Sequence, residues 1–177
     1  MKRFLFVFST LLMSGMFCAC SSSDESNSSD TLGEDKLDLF TPIDEGDDYT
    51  AISDFFQSNK NYQGLEYLNF VFEDSDEIQC YVINNTDELL SKYIGVDPFP
   101  IIDFNKYTLI VGQKIMPESF YTILRQELLS KGDELILNVY VPKMNGGYCA
   151  FQHLFFWGLY PKLQSTQISV NIIKEQV

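Results

Sequence analysis

The chain has 177 residues, 45% hydrophobic and 15% aromatic. One domain with a real core fits that length, and wholesale disorder is excluded. The net charge is −13, and the nine Lys and Arg beyond residue 49 are scattered singly. That excludes the basic footprint of a nucleic-acid binder and adhesion to anionic lipid by charge alone.

Lys2 and Arg3 precede an uncharged apolar run, residues 4–17, "FLFVFSTLLMSGMF". A membrane-spanning helix needs about 20 apolar residues. This run is shorter, and serines and acids follow it rather than basic residues, so it reads as the apolar core of a signal peptide. It ends in "CAC", with Ala19 before Cys20. That arrangement resembles a bacterial lipoprotein signal. The resemblance implies cleavage after Ala19 and diacylglycerol on the Cys20 sulfur, with Cys18 leaving in the peptide. Each buried acyl methylene is worth about 0.8 kcal/mol, so two or three chains anchor stably where one would not.

Behind Cys20 runs "SSSDESNSSD". A serine and acid cluster there resembles the surface-export signal of Bacteroidetes lipoproteins, which implies the outer leaflet of the outer membrane, facing outward. A plain solvated tether on the periplasmic face is the other reading. "DTL" at residues 30–32 resembles the short O-glycosylation acceptor of that phylum, with Thr31 as acceptor. Residues 21–48 hold ten acids against Lys36 alone, and such a self-repelling segment reads as an extended tether. Within it, "LDLFTPI" at residues 37–43 is an apolar island able to dock on the domain. The expected organisation is a signal peptide at 1–19, a lipidated acidic tether at 20–48 and one domain at 49–177.

In the domain, "TAISDFFQSNK" suggests a short helix with Thr50 or Ser53 as N-cap. Residues 65–74, "LEYLNFVFED", and 77–84, "EIQCYVIN", read as strands, with "DSDE" at 74–77 as the turn joining them. "NTDELLSKYIG" carries helix signals in order: Thr86 as cap, acids in the first turn, Lys92 late, Gly95 past the end. "VDPFPIIDF" is a loop. "KYTLIVGQKI" puts Tyr107, Leu109 and Val111 on one strand face. "SFYTILRQELLS" has a leucine spacing that also suits a helix, but Tyr121, Thr122 and Ile123 favour a strand, which turns through "KGDE" into "ELILNVYVP", where Leu135, Leu137, Val139 and Val141 share a face. "GGYCAFQHLFFWGLYP" turns at Gly146-Gly147 into an aromatic strand, and "TQISVNIIK" ends with Ile168, Val170 and Ile172 on one face. The expected fold is α+β: a single antiparallel sheet of five to six strands with one or two short helices on one face.

No catalytic constellation emerges. His153 is the lone histidine. On a strand, Cys149 four residues earlier lies about 13 Å from it, which leaves only Cys80 across the sheet as a partner. With one histidine there is no zinc spacing, and "DSDE" lacks the glycine and distant glutamate of a calcium loop. No metal, cofactor or enzymatic activity is expected. Cys80 and Cys149 are either a disulfide, which the compartment permits, or two buried thiols. The aromatic strand offers Trp157 and Tyr160 as ligand contacts, or as core.

The block 83–173 carries "TDELLSKYIG", "IIDFNKYTLIVGQK", "YTILRQELLSKGDELILNVYVP" and "GLYPKLQSTQISVN" in that order. It resembles the PrcB-type domain of bacterial lipoproteins, with "DFNKY" as the most specific element. The Gly-Gly-Tyr that usually follows the family's first strand is replaced by "MPESFY". The resemblance implies a non-catalytic lipoprotein module that binds a partner protease. The expected function is therefore envelope binding or assembly by protein contact, with a carbohydrate- or small-ligand-binding accessory lipoprotein as the alternative.

Overall fold

The computed structural model describes residues 37–58, 69–73, 75–117, 122–143 and 151–176. Cys20, Thr31, Cys149 and the Gly146-Gly147 turn lie outside them. The elements in chain order are β1 (Asp38–Phe40), α1 (Asp47–Ser58), β2 (Gln79–Ile83), α2 (Thr86–Lys92), β3 (Tyr107–Met116), β4 (Arg125–Lys131), β5 (Glu134–Pro142), β6 (Gln152–Pro161) and β7 (Ile168–Glu175). None of the described helices is long and apolar enough to cross a membrane.

The expectation of one antiparallel sheet is corrected. Among the described residues seven strands form two sheets, a four-stranded one in the order β1-β4-β5-β7 and a three-stranded one in the order β2-β3-β6. One pair, β5 with β7, is parallel. The chain leaves β5 for the second sheet, runs β6 there, and returns as β7 beside β5. Alternation tells which face a side chain takes, but not which strand lies alongside.

Burial patterns separate the layers. Along β5, buried and half-buried residues alternate, the mark of a sheet with one covered face. β3 is buried without a break from Thr108 to Gln113, because the three-stranded sheet is covered on both sides. On one side Ile110, Phe156 and Tyr160 meet Leu128, Leu135, Leu137 and Val139 of the larger sheet. On the other, Leu109, Val111, Phe155 and Leu159 meet Ile52, Phe55 and Phe56 of α1 and Leu89 of α2. Each fully buried Leu, Ile or Phe contributes about 1.5–3 kcal/mol. Phe156 fits because its cross-strand partner is Gly112; a Cβ there would lie 2.2 Å from the ring.

Local chemistry explains the ends. α2 is capped by Asn85 rather than Thr86: the Asn85 side chain accepts from the Glu88 amide at 2.8 Å, and the Glu88 carboxylate accepts from the Asn84 amide at 2.7 Å. α1 begins earlier than expected, after Gly46 at φ 103°. Thr50 sits inside it and donates its hydroxyl to the Gly46 carbonyl. Gly132, at φ 59°, makes the two-residue turn between β4 and β5. "DFNKY" is a turn into β3: Asp103 accepts from the Asn105 amide and pairs with Lys106 at 3.1 Å. Those contacts, Lys106 first, hold the Asp103 carboxyl below its usual range. Residues 69–73 do not form the expected strand; Phe70 makes one isolated bridge to Tyr93. Among the described residues the "DSDE" stretch joins no hairpin; residues 65–68 of the expected strand and Asp74 itself lie outside them.

The apolar island docks. β1 pairs with β4 over Leu128–Ser130, Phe40 packs into the core between the sheets, and the Ile43 amide donates to the Leu159 carbonyl of β6 at 2.7 Å. Residues 37–43 thus strap one sheet to the other.

Candidate functional site

Above that strap the two sheets part. A cleft of about 760 Å³ opens between them, bounded by the strap, α1, the segment leading into β4, and β6. Both edges there lack a neighbouring strand among the described residues. β6 is the outer strand of its sheet, and β1 covers β4 only as far as Leu128. Residues on opposite faces of each strand line the cleft: Trp157 and Gly158 of β6, Arg125 and Gln126 of β4. Successive residues point to opposite faces, so the cleft wraps around the strand edges themselves.

Trp157 forms the aromatic wall. Its ring stacks on Phe56, 4.6 Å between centroids at 24°, and on Tyr49, 5.9 Å at 26°. Tyr49 and Phe56 lie seven residues apart on α1, two helical turns, and so share a face. Ser53 lies between them, and its hydroxyl oxygen accepts from Gln57 Nε2 at 3.1 Å. From the opposite side Gln126 reaches across, and its Nε2 donates to the Trp157 carbonyl at 2.8 Å. Its Oε1 is buried with no partner.

Arg125 marks the rim. Its guanidinium lies 3.5 Å over the Tyr140 ring and pairs with Glu127 at 3.2 Å and with Glu175. The Tyr140 hydroxyl donates to Glu127 at 2.7 Å. The tyrosine bond, then Arg125, holds the Glu127 carboxyl below its ordinary range, and Glu175 raises the Arg125 guanidinium. The guanidinium is thereby fixed in position at the cleft mouth, with Asp44 on the facing strap.

The residues singled out in the sequence fare differently. Trp157 lines the cleft. Tyr160, on the opposite face of β6, is fully buried between the sheets and presents no surface to a ligand. Its hydroxyl has no partner there, and burial pushes its ionisation well up. Cys80 is a free thiol, and burial pushes it up to about 12, the character of an inert structural cysteine. Cys80 also cannot serve His153. Its register partners are Gly112 and, beyond it, Phe156, whereas His153 is opposite Ile115; the two side chains lie on opposite faces of the sheet. His153 borders a second hollow of about 340 Å³ with Gln113. Its Nδ1 and the Gln113 Oε1 are both unpartnered but closed off from solvent. Among the described residues no group of three His, Cys, Asp or Glu is placed to hold a metal.

Tyr49, Gln126 and Arg125 were not readable as site residues. The aromatic strand signalled Trp157, but nothing local to the others places them beside it. The chain matches no known protein family, no curated protein and no solved structure.

Proposed function

We propose that the chain is a lipid-anchored lipoprotein of the outer membrane whose domain works by binding, not catalysis, and grips a partner protein of the envelope in the Trp157 cleft. One observation carries the reading: the cleft brings stacked aromatics together with side-chain amide, hydroxyl and main-chain polar groups. That mixture is recognition chemistry, with apolar area for affinity and a few polar groups for orientation. The anchor at Cys20 and the acidic segment behind it hold the domain off the lipid, at the cell surface. The likeness of residues 83–173 to the PrcB-type domain makes a membrane-associated protease the first partner to test.

A photo-crosslinking residue placed at Gln57 in the full chain tests the site in living cells. One discrete protein adduct, lost on Trp157→Ala, is expected; no adduct, or one indifferent to Trp157, sinks the reading. Cys20→Ala should release the protein from the membrane fraction, and retention there would sink the anchor. The carbohydrate alternative now rests on Trp157 alone. Specific retention on a glycan array, abolished by Trp157→Ala, would replace the protein partner with a sugar.

A further inference from the structure

We propose that the cleft receives an extended peptide as an added β-strand on the outer edge of β6, in the place now filled by the Gln126 side chain. This rests on the cleft being the binding site. A sheet edge offers a row of unpaired main-chain groups, and a peptide that adds to it gains backbone hydrogen bonds for affinity and alternate side-chain pockets for specificity.

Three observations converge on β6. Its outward carbonyls already draw amide donors: Leu159 takes the backbone amide of Ile43, and Trp157 takes the side-chain amide of Gln126. The first shows that a main-chain segment seats on this edge, since the strap does so one step further along. The second shows a side chain imitating the next peptide N–H. The imitation is incomplete, because the Gln126 Oε1 is left buried without a partner. A peptide backbone supplies the donor and frees Gln126 to turn its amide toward water. The strap sets the end of the slot, so the incoming strand continues from Ile43 toward the Trp157 end of β6. Alternate side chains of such a strand face opposite ways. One set meets Tyr49, Phe56 and Trp157 and calls for an apolar or aromatic residue. The other enters beside Gly158, where small residues fit.

A display library of random twelve-residue peptides, selected on the full chain, supplies the probe, with the anisotropy of a fluorescent label on the peptide as the binding signal, read on wild type and on Trp157→Ala. The best peptide is then remade with a single N-methyl group at each amide in turn. Added-strand binding predicts a loss of about tenfold or more at every second amide and tolerance between them, because only alternate N–H groups face β6. Gln126→Ala should tighten binding about tenfold by removing the competing donor. A flat N-methyl profile, or one spaced every three to four residues, overturns the strand while Trp157-dependent binding would keep the cleft. Selection that yields no Trp157-dependent peptide overturns both.

Discussion

Gly112→Ala tests the packing between the two sheets. A Cβ built on Gly112 lies 2.2 Å from Phe156 Cζ, 2.4 Å from its Cε2 and 2.8 Å from the Gln79 carbonyl oxygen. Neither neighbour yields easily. Phe156 is completely buried among Ile110, Leu128 and Leu137, and Gln79 is held in the β2–β3 ladder. Overpacking of this kind costs about 1–3 kcal/mol. The narrower unfolded ensemble of alanine offsets about 0.4–1 kcal/mol of that, leaving a net loss of about 1–2 kcal/mol. With a urea slope of about 2 kcal/mol per molar, the unfolding midpoint should fall by about 0.5–1 M. Phe156→Ala alone should cost about 3–5 kcal/mol by opening a cavity. In the double variant the new methyl enters that cavity, so the combined loss should fall short of the sum by about 1–2 kcal/mol. Urea melts of wild type, both single variants and the double close the cycle. An unchanged midpoint for Gly112→Ala, or additivity within about 0.5 kcal/mol, would refute the packing.

Tyr160→Phe removes a buried hydroxyl with no partner and should leave stability unchanged or raise it by up to about 1–3 kcal/mol; a clear loss in a urea melt would mean the hydroxyl is bonded. The half-buried Cys80 thiol, packed against the core between the sheets, should react with a soluble thiol reagent more slowly in the native state than on unfolding, and equal rates would contradict that packing. Because folding raises that thiol from 9.0 to about 12, the unfolded chain ionises first. Its contribution to stability, whole below about pH 9, should fall by about 1.4 kcal/mol per pH unit between pH 9 and 12. Cys80→Ala should flatten that part of the profile in pH-dependent melts, with Tyr160 adding a slope of the same sign. Asn85→Ala should cost about 1 kcal/mol through loss of the α2 cap, whereas Thr86→Ala should cost less; the reverse order in melts would restore Thr86 as the cap.

Local patterns carried a good part of the fold. The inward set Leu135, Leu137, Val139 and Val141 was readable from alternation, as was Ile168, Val170 and Ile172. The α2 signals were readable to within one residue, because Asn85 and Thr86 are both good caps and only backbone geometry chooses between them. The separation of Trp157 from Tyr160 was also latent in the sequence, since residues three apart on a strand point to opposite faces. Deciding which face stayed open required knowing what covers each.

The sequence by itself determined the charge asymmetry and most of the strands and helices, because each depends on composition or on neighbours within a few residues. The tertiary structure decided the number of sheets, the parallel pairing of β5 with β7, and the cleft. Those depend on contacts between residues far apart in the chain, such as Ile43 with Leu159 and Gln126 with Trp157. Hydrophobic period orients a side chain toward a face without naming its partner.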